Sequence, residues 1–191
     1  MIKAIIFDCF GVLHVDVHQS FAAEFPAVAD ELHDINMQTD YGMLDRDEYI
    51  AAVARLTGAT PDSVEAFVKG EHHLNTLLME YIQSDLKPHY KIGMLSNIGR
   101  DWIDNFFNKH QLHDVFDAVV LSGEVGIIKP HPRVFEIIAE RLNVEPYECV
   151  MIDDIEANCA GADAVGMKAI QYLSTRQTIA ELKALLASNQ S

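Results

Sequence analysis

Residues 148–172, ECVMIDDIEANCAGADAVGMKAIQY, decide the fold. ECVMID (148–153) is a short apolar run that stops at paired aspartates. EANCAGADAV then has helical spacing and is closed by Gly166, and MKAIQY (167–172) is again a short apolar run. A strand, a covering helix and a second strand form a βαβ unit, whose strands lie parallel with a right-handed crossover. The same rhythm extends upstream. IKAIIF (2–7), KIGMLS (91–96) and DAVVLS (117–122) are further runs without polar alternation, as expected of strands buried on both faces. Helical patterns WIDNFFNKH, after Arg100, and VFEIIAERL, opened by Pro132, separate the later runs. The predicted class is α/β, with a parallel sheet between helical layers.

Between the first and second runs the rhythm breaks. Residues 14–88 show no convincing strand but three helix signals: Asp45 with Glu48 as a capping box, Thr60 with Pro61 as a start, and Gly70 as a stop. The segment LNTLLMEYIQSDL follows at helical spacing, with Phe67, Leu78 and Met79 as core positions. The expected organisation is a discontinuous core, residues 1–13 and 89–191, interrupted by a helical domain over 14–88.

Composition bounds the function. The 191 residues carry 14 Lys plus Arg against 29 Asp plus Glu, a net charge of −15, which argues against nucleic acid and anionic membrane surfaces as partners. Three cysteines, Cys9, Cys149 and Cys159, lack CxxC spacing and point to neither a disulfide framework nor a thiolate zinc site. With no apolar run of membrane-spanning length and too short an apolar start for a signal peptide, a cytoplasmic location is expected. Monomer and homodimer remain equally open.

Polar residues recur where strands end. Asp8 closes the first run, Ser96 the second, Asp153 and Asp154 the fourth, and Lys129 lies in the loop after the third. Ligands of parallel sheets bind outside those carboxyl ends. Three carboxylates in one pocket need a compensating cation, and oxygen donors without His or Cys select a hard ion such as Mg²⁺. One Mg²⁺ with Lys129 balances the three carboxylates and lets a phosphate approach.

FDCFGVL (7–13), LSN (95–97), GIIKPHPRVF (126–135) and MIDDIEANCAGADAVGM (151–167) resemble, in this order, the four motifs of the haloacid dehalogenase superfamily. The resemblance implies a Rossmann-like core with strand order 5-4-1-2-3, a mobile helical cap inserted after strand 1, and hydrolysis through a covalent aspartyl intermediate. It implies Asp8 as nucleophile. Its other oxygen, the Phe10 backbone carbonyl and Asp154 would hold Mg²⁺, with Asp153 ligating directly or through water. Ser96 would bind a phosphoryl oxygen, with Lys129 neutralising the charge shared with Asp8. Asn158 would orient Asp154 or a metal-bound water; Asn97 would cap the next helix or touch substrate.

One position departs from the phosphatase pattern: the usual second Asp of motif one, a general acid and base, is replaced by Phe10. Such a group contributes about 10² to 10⁴ in rate. Three readings follow. They are a Mg²⁺-dependent hydrolase of a small phosphate ester, such as a sugar 1-phosphate or acyl phosphate; a fold-retaining binding protein with little turnover; or a metal-independent 2-haloacid dehalogenase. His14 and Asp16 are candidate substitutes for the acid. Among the other histidines, His72, His73, His110 and His113 fit surface or helix-end positions, and His131, just before Pro132, fits either an N-cap region or a contact with the site. Trp102 fits packing, and Thr39 to Leu44, where Gly42 permits a close turn, is the candidate stretch for substrate choice.

Overall fold

A computed structural model of the chain describes residues 1–15, 24–70, 73–107 and 109–188. Among the described residues seven strands are present: β1 (Ala4–Phe7), β2 (His14–Val15), β3 (His73–Leu74), β4 (Lys91–Ser96), β5 (Ala118–Leu121), β6 (Cys149–Asp153) and β7 (Lys168–Gln171). Five form one parallel sheet in the order β5-β4-β1-β6-β7. Counting those five along the chain and reading from the far edge gives 5-4-1-2-3, as the motifs imply.

The apolar runs lack alternation because both faces of the sheet are covered. On β1, Ile5 and Phe7 join one buried cluster and Ala4 and Ile6 another; on β6, Val150 and Ile152 divide from Cys149 and Met151 in the same way. Period-two side chains therefore feed two cores at once. The helices are α1 (Ala29–Asp40), α2 (Arg46–Thr57), α3 (Pro61–Lys69), α4 (Thr76–Tyr81), α5 (Lys109–Val115), the single turn α6 (Ser122–Val125), α7 (Pro132–Leu142), α8 (Glu156–Ala164) and α9 (Thr175–Ser188). Val134, Phe135 and Ile138 of α7 and Ala162 of α8 cover one face, and Leu182 and Leu186 of α9 help cover the other.

Helix signals in the intervening segment act as read. Asp45 and Glu48 form a reciprocal capping box on α2, Thr60 caps α3 ahead of Pro61, and Gly70 ends it. Leu32, Tyr49, Val53 and Val64 make a third core shared by α1, α2 and α3, with Phe67 and Trp102 packed against it. Trp102 meets the Tyr49 ring edge to face at 4.9 Å.

Three expectations change. The described residues of 14–88 do not share one core, since Leu78, Met79, Tyr81, Ile82 and Leu86 belong to a sheet-face cluster rather than to the core of α1–α3. The segment also contains the antiparallel ribbon β2–β3, with His14 opposite Leu74, too short to leave a period in the sequence. The helix expected at WIDNFFNKH reduces to a 3-10 turn, Ile103–Asn105, with α5 starting at Lys109; Asp, Asn and Phe there are weak helix formers.

Gly42 serves a contact different from the expected approach to a ligand. Its φ is +72°, and a Cβ would stand 2.2 Å from the Gly123 carbonyl oxygen. The turn after α1 thus lies backbone to backbone on α6.

Candidate active site

The sheet order sets β4, β1 and β6 side by side, so Ser96, Asp8 and Asp153 emerge at adjacent positions on one edge. Asp8 continues β1 through its N–H, which donates to the Ile152 carbonyl at 2.9 Å. Lys129 reaches this edge from the loop after α6. Its ammonium lies 2.9 Å from Asp8 Oδ1 and 2.6 Å from Asp153 Oδ2, all three groups being buried.

Asn97 fixes that lysine. Its Nδ2 donates to the Lys129 carbonyl at 3.1 Å and its Oδ1 accepts the Lys129 N–H at 2.8 Å. The expectation of a helix cap is therefore corrected: both ends of the amide are spent on a backbone far along the chain, which no local spacing could reveal. A similar correction applies to Asn158. Its Nδ2 donates at 2.9 Å to Asp153 Oδ1, which also accepts the Ile155 N–H at 2.9 Å, so it orients Asp153 and not Asp154.

Asp8 is held asymmetrically. Oδ1 accepts from the Cys9 N–H at 2.6 Å and faces Lys129, whereas Oδ2 has no hydrogen-bond partner among the described residues. The buried Ser96 hydroxyl likewise has none among them. A buried orphan hydroxyl costs about 1–3 kcal/mol and so marks a place where an acceptor is expected.

Asp154 approaches over Gly11, whose φ is +80° and where a Cβ would come within 2.4 Å of Asp154 Oδ2. Sequence reading missed this glycine, although its place between Phe10 and Val12 is the only signal it could give. One oxygen from each of Asp8, Asp153 and Asp154 lies within 4.8 Å of the others. The set is all oxygen, it carries three formal negative charges against one lysine, and a glycine has been kept to admit the third carboxylate. These features fit a hard divalent cation.

Burial pushes the Asp8 carboxyl up, to about 7; Lys129 pulls it down, and Asp153 pushes it further up. For Lys129, burial works to lower the ammonium, but Asp8 and Asp153 outweigh it and hold it above its ordinary value. A carboxyl raised in the folded state retains a proton that the unfolded chain has already released. Over about pH 4 to 7, the metal-free protein should accordingly lose stability through Asp8 as pH rises. Urea unfolding in chelator at about pH 5 and about pH 7 checks this: Asp8→Asn should lose less stability over the interval than the unsubstituted protein.

Phe10 packs its ring edge to face on Phe106 at 4.7 Å, and the backbone bridge between Phe10 and His14 closes the turn. The His14 ring is buried among Phe10, Phe106 and Phe107. Asp16 and His72 lie outside the described residues. His131 caps α7, its Nδ1 accepting the Arg133 N–H.

The fold recurs in known proteins. A HAD-like family hydrolase from Porphyromonas gingivalis superposes with a TM-score of 0.80 at 26% identity, covering 97% of this chain and 98% of that one. A HAD family enzyme from Bacteroides thetaiotaomicron, in complex with magnesium and inorganic phosphate, shares the fold with a TM-score of 0.75 at 21% identity, covering 92% and 96%. Pyrophosphatase PpaX of Bacillus mycoides is 30% identical over 120 residues, 60% of this chain and 55% of its own length. The chain spans about half the length of the PpaX relatives it matches. The family model of haloacid dehalogenase-like hydrolases matches residues 2–166, a span that holds every group brought together at the sheet edge, and the chain belongs to that family.

Proposed function

We propose that the protein is a Mg²⁺-dependent phosphatase acting on a small phosphate ester through Asp8. The observation that carries the reading is the convergence of three carboxylates, two of them paired with Lys129, beside a buried serine hydroxyl with no partner among the described residues. Such a pocket repels a phosphate until a divalent cation is bound, and then it attracts one.

Asp8, Asp153, Asp154 and the Phe10 carbonyl are the proposed holders of Mg²⁺, which would supply charge neutralisation at the phosphoryl oxygens. Asp8 Oδ2 attacks phosphorus, the bond from phosphorus to the ester oxygen breaks, and the leaving alkoxide takes a proton from solvent water. Water then attacks the aspartyl phosphate, releasing phosphate and restoring the carboxylate. Lys129 stays charged between Asp8 and Asp153, and Ser96 donates to a phosphoryl oxygen. Helices α1–α3 act as the cap over this edge. The substrate is a small phosphorylated metabolite with a leaving group that needs little protonation, and three buried unpaired cysteines suit a reducing cytoplasm.

A dehalogenase fits less well, since Asp153 and Asp154 would repel a haloacid carboxylate. A binding protein without turnover is favoured by one observation, the Phe10 ring packed where the usual acid would stand. Phosphate release from a panel of sugar phosphates and acyl phosphates, with Mg²⁺ or with chelator, separates the readings. Mg²⁺-dependent release is expected, and Phe10→Asp should raise turnover of poor leaving groups by about 10²-fold. No release from any ester while Mg²⁺ still binds would favour the binding protein, and Mg²⁺-independent halide release the dehalogenase.

A further inference from the structure

A groove of about 710 Å³ opens at the opposite edge of the sheet, where β1 and β4 begin and β5 is about to begin. Its size lies within the range of small-molecule sites, about 300–1,000 Å³. Asp8 and Ser96 stand at the carboxyl ends of β1 and β4, so the length of the strands separates the groove from the candidate active site. Its floor is apolar. Ile2 and Leu186 are buried members of a sheet-face core, and the half-buried Tyr90 packs against that core. The Tyr90 ring meets the ring of His89 edge to face at 6.4 Å.

Charge around this floor runs against the composition of the chain. Among the described residues, three lysines line the groove, Lys3, Lys87 and Lys91, against one carboxylate, Asp117. The whole chain has 14 Lys plus Arg against 29 Asp plus Glu, so a surface with lysines in the majority is exceptional for it. Lys3 is paired at 2.6 Å with Glu148, which does not line the groove. Lys87 and Lys91 have no carboxylate partner among the described residues. Their ammonium groups rest on helix ends: Lys91 Nζ donates to the Leu142 carbonyl of α7 at 2.6 Å, and Lys87 Nζ to the Asp114 and Val115 carbonyls of α5. An ammonium has three donors, so each lysine is anchored and still has an N–H to give. Lys87 is delivered by a π-helical turn, Ile82–Leu86, closed by its own N–H on the Ile82 carbonyl at 2.8 Å. Wide turns of this kind concentrate at functional sites. Asp117 Oδ2 accepts the Ile92 N–H at 2.7 Å, which ties the carboxylate to the start of β4.

We propose that this groove binds a small organic anion with a flat apolar body, its acidic group held by Lys87 and Lys91 and its body laid on Tyr90, Ile2 and Leu186. The two ammonium groups are already ordered by the helix ends, so little rotamer freedom is lost when the anion arrives. The apolar floor rewards an organic body, which inorganic phosphate or sulfate lacks. Neither Asp8 nor Lys129 takes part, so the site stands apart from the phosphatase reading and the two fail separately.

Fluorescence titration of the full chain with anilinonaphthalene sulfonate tests the site, in chelator so that the carboxylates at the other edge repel the probe. One saturable site with a Kd of about 10–100 μM is expected. The same ring system without its sulfonate should bind at least about 10-fold more weakly, because the lysines then have no anion to meet. Lys87→Gln and Lys91→Gln should each weaken the probe about 3- to 10-fold, with thermal unfolding confirming that both variants are folded. Asp117→Asn keeps an acceptor for the Ile92 N–H and removes the opposing charge, so it should tighten binding about 2- to 5-fold. A damaged fold cannot produce that gain. No saturable binding up to about 1 mM, or equal affinity for the uncharged ring system, would overturn the proposal. So would affinities that stay within about twofold in both lysine variants and in Asp117→Asn.

Discussion

Asp8→Asn should lower phosphate release by at least about 10⁴-fold while leaving the fold at least as stable as before. The two halves of this expectation have one cause. Asp8 Oδ1 is committed to the Cys9 N–H and Lys129, and the other oxygen is the one left for attack. Asparagine keeps an oxygen for the first pair and puts an amide nitrogen, which has no nucleophilic lone pair, at the second. Replacement also removes a buried carboxylate, which burial first and then the repulsion of Asp153 hold up at about 7. Kinetics with Mg²⁺ and urea unfolding in chelator measure the two effects separately. A variant that lost activity only in proportion to lost stability would show a structural Asp8.

Lys129→Met carries the second large effect, in both activity and stability. The ammonium is buried between Asp8 and Asp153, at 2.9 and 2.6 Å, and no other cation lies between them among the described residues. Removing one partner of a buried ionic group strands the others and costs about 3–5 kcal/mol. Turnover should fall about 10²- to 10³-fold, the scale for losing one preorganised charge at the reacting group. Urea midpoints at unchanged slope report the stability loss, and Mg²⁺ should restore part of it by supplying charge at the same carboxylates. A midpoint shift equivalent to less than about 1 kcal/mol would mean that the carboxylates are not held ionised by Lys129.

The sheet was legible because a strand covered on both faces cannot alternate. IKAIIF and ECVMID announce themselves as unbroken runs, and their last polar residues must then fall at one edge. Asp8, Ser96, Asp153 and Lys129 followed from that geometry together with the order of the motifs. Capping boxes were legible because both partners sit within one turn, as with Asp45 and Glu48. Long-range partners leave no such trace. Asn97 and Lys129 embrace across 32 positions, Asn158 chooses Asp153 over its neighbour, and Ser122 joins Asp40 across 82. Gly42 was recognised as a tight turn, but whether backbone or ligand required it depended on where Gly123 would lie. The division of residues 14–88 was hidden for a related reason: Leu78 and Met79 have the same helical spacing whether they face α1–α3 or the sheet.

A covalent phosphoryl group on Asp8 is the central claim. Rapid quenching of the Mg²⁺-loaded protein during turnover of a hexose monophosphate, followed by borohydride reduction and peptide mass analysis, tests it directly, because reduction converts an aspartyl phosphate to homoserine. Homoserine at residue 8, absent without substrate and absent in Asp8→Asn, is the expected result. Sustained phosphate release with residue 8 recovered only as aspartate, and with release persisting in Asp8→Asn, would contradict the account.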